Sequence, residues 1–155
     1  MTQEIKKMKL AEGLLIRADL MKKIEHLQNR IRPLLIVSDD KRPQEDPDKL
    51  LAQLRKSIQD LEAIIIRINK TNNETTVEDE GSLMEALAKR DALKMLSEKL
   101  RHIRYAAQVE NSGATDLKTT IDIKKLQTEM DQTGRSFREI DSKIQELNWL
   151  TELKD

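Results

Sequence analysis

The segment RINKTNNET, residues 67–75, places one Arg, three Asn and two Thr at the end of an apolar helical repeat. Arg67, Asn69 and Asn72 could offer a guanidinium and two amides to a small ligand or an anion. The same residues could instead close a helix. Asn72 falls four residues after Ile68, where the repeat asks for a core residue, and an Asn at such a position fixes register at some cost in stability. Asn73 suits the left-handed residue that ends many helices. The helix-end reading is the stronger, and both stay open. Asn69 and Asn73 each begin an Asn-x-Thr sequon, but no export signal accompanies them.

Other chemistry-bearing residues are sparse. His26 and His102 are the two histidines, and Glu98 precedes His102 by one helical turn. Carboxylate-bundle metal sites need Glu-x-x-His on two helices together with two further Glu, a spacing neither His has. There is no Gly-rich phosphate loop, no Ser elbow and no Ser, His and Asp set at a useful spacing. No enzyme activity, cofactor or metal is therefore expected. Basic residues Lys6, Lys7, Lys9, Arg17, Lys22, Lys23, Arg30 and Arg32 face four acids, Glu4, Glu12, Asp19 and Glu25, over the first 32 residues. A helical hairpin with such a face could lie along an RNA backbone, as the arm of seryl-tRNA synthetases does. The near absence of aromatics for base stacking makes nucleic acid the weaker expectation.

The elements that must position these residues are helical. Charged residues form 36% of the 155-residue chain and aromatics 2%, with 4 Gly and 3 Pro, a composition that suits long helices better than strands. Lys plus Arg equals Asp plus Glu at 28 each, so no net field selects a polyanionic partner. The lack of Cys removes disulfides and thiolate chemistry and fits a reducing cytoplasm. Glu12, Arg17 and Asp19 interrupt the first apolar run before a signal-peptide core forms, and no stretch approaches the ~20 apolar residues of a membrane span.

Apolar spacing predicts four helices. The first runs from Lys9 to Arg32 with Leu10, Leu14, Ala18, Met21, Ile24, Leu27 and Ile31 on one side, and stops at Pro33. Asp46 and Pro47 form an N-cap and first-turn pair for the second, whose seam is Leu51, Leu54, Ile58, Leu61, Ile65 and Ile68. Ser82 and Glu85 make a capping box for the third, which carries Leu83, Leu87, Arg90, Leu93, Leu96, Leu100, Ile103 and Ala107. Asp122 caps the fourth, with Ile123, Leu126, Met130, Thr133, Phe137, Ile140, Ile144 and Leu147 in register; Gly134 in its middle marks a kink, a close crossing or a break. A short strand is the minority reading for residues 117–123. The expected architecture is one all-α domain over residues 1–155, an antiparallel, coiled-coil-like bundle of about four helices with long connecting loops.

The segments KLAEGLLIRADLMKKIEHLQNRI, IIRINKTNNET, LMEALAKRDALKMLSEKLR and IDSKIQELNWLTEL occur here in that order. Together they resemble an uncharacterised bacterial family of short helical proteins often labelled septicolysin. Arg17-Ala18-Asp19-Leu20, Arg67-x-Asn69-x-x-Asn72, Arg90-Asp91-x-Leu93 and Asn148-Trp149 are its most specific pieces. The resemblance implies an all-helical fold and a bacterial or phage origin, and brings no catalytic residues, cofactor or substrate.

These residues favour a non-enzymatic interaction or assembly protein, with an RNA-binding helical hairpin as the alternative and a membrane-active lysin third. On the fourth helix Phe137, Ile140, Ile144 and Leu147, with Trp149 beside them, form an apolar stripe long enough to suggest a homo-oligomer, most simply a dimer, or an unidentified protein partner.

Overall fold

The computed structural model describes residues 7–36, 44–110 and 119–155, of which 81% are helical. Helix α1 spans Leu10–Ile31 and runs into a 3-10 turn at Arg32–Leu34; α2 spans Pro47–Glu74; strands β1 (Thr76–Val77) and β2 (Gly81–Ser82) form a small antiparallel hairpin; α3 spans Leu83–Glu110 and α4 Ile123–Leu150. Four helices and one two-stranded sheet therefore make up the described residues, a predominantly all-α fold.

The caps explain where the helices begin. Asp46 Oδ1 accepts the backbone N–H groups of Asp48 at 3.0 Å and Lys49 at 3.4 Å. Asp122 Oδ1 does the same for Lys124 at 2.9 Å and Lys125 at 3.1 Å. At the start of α3, Ser82 Oγ accepts the Glu85 N–H at 3.2 Å, while Glu85 Oε2 accepts the Ser82 N–H at 2.7 Å. Each set satisfies donors that a helix N-terminus leaves without intrahelical partners. At Pro33 the chain tightens into the 3-10 turn instead of stopping, because i→i+3 bonding tolerates Pro in the first turn.

The residues fall into two compact units. The first comprises α1, the 3-10 turn, α2 and Asn148–Asp155. Near the α1–α2 connection Leu27, Ile31 and Leu50 are buried together, with Leu34, Leu51 and Leu54 packed on them. At the opposite end both helices hold the same C-terminal segment: Leu10 N–H donates to Thr151 O at 2.9 Å, Leu153 N–H to Met8 O at 2.8 Å, and Lys154 N–H to Thr71 Oγ1 at 3.0 Å. The two helices are thus antiparallel. Gly13 is buried under Leu153, where an added Cβ would lie 2.9 Å from Leu153 Cδ2.

The buried seam of α2 differs from the expected one. Leu50, Ser57, Ile64, Ile68 and Thr71 are buried, with Leu54 and Leu61 half-buried, whereas Ile58 and Ile65 are 49% and 37% exposed. Leu54, Leu61 and Ile68 belong to both frames; the intervening position moves back by one residue. Adjacent pairs such as Leu50-Leu51 and Ile64-Ile65 make the period degenerate, and the polar Ser57 and Thr71 disguise the true frame. On α1, likewise, Leu10, Gly13, Leu27 and Ile31 are buried while Ala18 and Met21 are exposed.

The second unit comprises the hairpin, α3 and α4 to Leu147. Glu80 N–H closes the hairpin turn on Val77 O at 3.1 Å, with Asp79 (φ 64°) and Gly81 (φ 84°) in the left-handed region. Leu83 N–H donates to Thr75 O, and Lys143 Nζ to Glu78 O at 3.1 Å. Arg90 lies 3.8 Å from Asp141, and Leu93 and Ile140 line one cavity, so α3 and α4 run antiparallel. The α4 seam is the one its sequence predicts: Leu126, Thr133, Ile140 and Ile144 are buried and Ile123, Met130, Phe137 and Leu147 half-buried. On α3 the seam departs from expectation, with Leu96 and Ile103 40% and 46% exposed. Residues 119–122 are irregular and lead straight into α4; residues 117 and 118 lie outside the described residues.

Gly134 does not break α4, which is continuous from Ile123 to Leu150. An added Cβ there would find only Arg138 Nη1, at 3.5 Å, so no close helix crossing depends on it. Gly134→Ala should therefore raise stability by ~1 kcal/mol, and Asp122→Ala should lower it by ~1 kcal/mol, both read from urea unfolding midpoints.

Candidate functional site

Arg67 is held by the C-terminal segment. Its Nε donates to Lys154 O at 3.0 Å and its Nη2 to Asp155 Oδ1 at 2.7 Å. Lys70 Nζ reaches Asp155 O at 2.7 Å, and Lys154 Nζ reaches Glu74 Oε2 at 2.5 Å. The hydrogen bond from Lys154 holds the Glu74 carboxyl below the usual carboxylate range. Thr71, fully buried, donates to Arg67 O at 2.7 Å and accepts from Lys154 N. Asn69 is exposed and Asn72 half-buried. Arg67 engages the tail with Lys70 and Thr71 rather than with Asn69 or Asn72. Thr71 and Lys70 lay inside the quoted segment, but only the remote tail reveals their partners.

Ile140 and Ile144 are 2% and 0% exposed, and Phe137 and Leu147 are half-buried, so most of the α4 stripe is covered within the single chain; Trp149 is 60% exposed. The exposed apolar surface lies elsewhere. With Leu10, Gly13, Leu27 and Ile31 facing Leu50, Ser57, Ile64 and Ile68 across an antiparallel pair, Leu14 and Met21 fall on the same flank of the hairpin as Leu51, Ile58 and Ile65. Met21 is 57% exposed, while Leu14 and Leu51 are half-buried. The other flank carries Arg67 and Glu74 and takes the tail.

Of the basic residues on and before α1, Lys7 pairs with Glu152 at 3.1 Å, Lys9 Nζ donates to Leu150 O at 2.9 Å, and Arg30 forms an ion pair with Glu45. The hydrogen bond and charge of Glu45 raise the Arg30 pKa, and the same hydrogen bond lowers that of Glu45. Arg17, Lys22, Lys23 and Arg32 are exposed; Lys6 and Glu4 lie outside the described residues. His26, Glu98 and His102 are all exposed, and no group of three or more metal-ligating side chains converges among the described residues.

These features define a predominantly helical protein in which Asp46, Asp122 and the Ser82–Glu85 pair cap helices while Arg67, Lys70 and Thr71 hold the C-terminal segment. The chain belongs to a family of unknown function, DUF6847, whose model matches residues 17–153. It is also similar to the crystal structure of a functionally unknown conserved protein from Corynebacterium diphtheriae, at 26% identity, with a TM-score of 0.88 over 96% of this chain and 100% of that one. No curated protein matches it.

Two results should follow. Asn69→Ala, at an exposed position, should change stability by less than ~0.5 kcal/mol, whereas Arg67→Ala should release the tail and raise amide exchange at Leu153 and Lys154. Glu74 and Glu85 have lowered folded-state pKa values, Glu85 chiefly through the Ser82 N–H and then its hydroxyl. Their contribution is therefore complete above the ordinary carboxylate range and lost as pH falls through the lowered values. Glu85→Gln should reduce proton uptake on acid unfolding, measured as a shallower loss of stability below about pH 5.

Proposed function

We propose that this chain is a non-enzymatic interaction and assembly protein that associates with a second copy of itself. The observation that carries the reading is the apolar flank of the α1–α2 hairpin, where Met21, Ile58 and Ile65 are substantially exposed beside half-buried Leu14 and Leu51. Single exposed apolar residues are ordinary; a stripe contributed by two adjacent helices is a docking surface. Pairing two such stripes about a twofold axis buries both at once and closes the assembly. Trp149 and Leu150, 60% and 62% exposed, add apolar surface in the same unit.

The resemblance to proteins labelled septicolysin belongs to this proposal as a finer family assignment, and with it a bacterial cytoplasmic setting. No helix among the described residues is long and apolar enough to cross a membrane. The RNA-binding alternative rests on exposed Arg17, Lys22, Lys23 and Arg32; a tRNA gel shift weakening steeply with salt would favour it.

Light scattering after size exclusion should give a multiple of 18.0 kDa. Ile58→Glu and Ile65→Glu should reduce it to the monomer mass with helicity retained, whereas Ile144→Glu, at a fully buried position, should unfold the chain. A concentration-independent wild-type monomer would refute self-association.

A further inference from the structure

A groove of about 370 Å³ lies between α3 and α4 inside the second unit, on one side of their seam. Lys94 and Arg101 border it from α3 and Arg138 from α4. Its size is at the small end of the range for ligand pockets. The absence of a side chain at Gly134 opens it, and Phe137, half-buried beside Gly134, supplies an apolar wall.

Three exposed cations border this groove. Arg30, Arg67, Arg90, Lys56 and Lys89 each meet a carboxylate within 4 Å, whereas Arg17, Lys22, Lys23 and Arg32 are exposed like the groove's cations and pair with no carboxylate among the described residues. Lys94, Arg101 and Arg138 have no hydrogen-bond or ion-pair partner among the described residues. Glu98, one turn from both Lys94 and Arg101, also borders the groove but bonds to none of the three cations, leaving a formal charge of +2 (three cations less one carboxylate). The cavity on the opposite side of the same helix pair has no such excess. There Lys89 and Lys143 are matched by Glu80 and Glu139.

We propose that this groove binds a small organic phosphate monoester, the phosphate held by Lys94, Arg101 and Arg138 and its planar or apolar body lying against Phe137. Two guanidinium forks and an ammonium can supply donors from several directions, which suits a tetrahedral phosphate better than a flat carboxylate. The doubly ionised monoester also cancels the +2 charge, and Ser97 adds a hydroxyl at the groove wall. A Cβ at position 134 would enter the space beside the Arg138 guanidinium. The proposal is independent of self-association, because none of these residues belongs to the α1–α2 flank.

Phenyl phosphate is a suitable probe, titrated by calorimetry into the full-length protein beside inorganic phosphate and phenol. Saturable binding of phenyl phosphate is expected, about tenfold tighter than inorganic phosphate, with none of phenol. Arg101→Gln and Arg138→Gln should each weaken it about tenfold. Gly134→Leu should block the groove without changing charge, and Lys56→Gln, on α2, should leave binding unaltered. Circular dichroism checks that each variant is folded. The assignment is overturned if phenyl phosphate does not saturate below about millimolar concentration, if phenol binds equally well, or if Lys56→Gln weakens binding as much as Arg138→Gln.

Discussion

The seating of Leu153 on Gly13 is the contact on which the first unit depends. Two long helices with largely polar surfaces share a narrow seam, and a two-helix hairpin alone buries little apolar area. Leu153, 6% exposed, enters where Gly13 has no side chain, and the segment carrying it satisfies groups on both helices. Leu10 N–H, one of the donors that the start of α1 leaves without an intrahelical partner, finds Thr151 O; Glu12 Oε2 takes the Lys9 N–H at 2.6 Å. At the end of α2 the buried Thr71 hydroxyl both donates and accepts. Desolvating that hydroxyl is tolerable because both its hydrogen-bonding capacities are met.

The remaining polar interactions are local in their effect. Asp46, Asp122 and the Ser82–Glu85 pair fix where helices start, and Gly81 makes the last of these possible. Its positive φ turns the strand into α3, and a Cβ there would collide with the Glu85 carboxylate. Exposed pairs such as Lys56–Asp60 contribute little individually. Arg67 differs because two of its donors engage backbone and carboxylate groups of one segment, which gives direction as well as attraction.

Local chemistry was legible in the sequence because its partners are three or four residues apart. The start of α3 and the caps at Asp46 and Asp122 could be read directly, and so could the α4 seam, where apolar residues occupy nearly every third or fourth position without rivals. The α1, α2 and α3 seams could be read only in part: Leu10, Leu27, Ile31, Ile68, Leu83 and Leu100 are buried as expected, while Met21, Ile58, Ile65, Leu96 and Ile103 are exposed. Leu50-Leu51 and Ile64-Ile65 satisfy two frames equally, and the true frame buries Ser57 and Thr71, whose hydroxyls make the choice invisible to an apolar count. The role of Arg67 was hidden for another reason: its partners lie 87 and 88 residues away, at a separation no periodicity encodes.

The mistaken frame has a physical meaning. An apolar periodicity records which helix face avoids water, not which surface covers it. On α1 and α2 the stripes read from sequence are rotated towards Met21, Ile58 and Ile65, and these are residues the single chain leaves exposed. The rotation has the same sense on both helices, so Met21, Ile58 and Ile65 fall on one flank while the tail occupies the other; Leu15, Ile16 and Ile66 are exposed on other faces. On α4, where the stripe and the buried seam coincide, Ile140 and Ile144 are fully enclosed. The difference between the apolar stripe and the covered seam therefore separates surface that the chain satisfies internally from surface that favours a second copy, and in the first unit that difference falls on the α1–α2 flank.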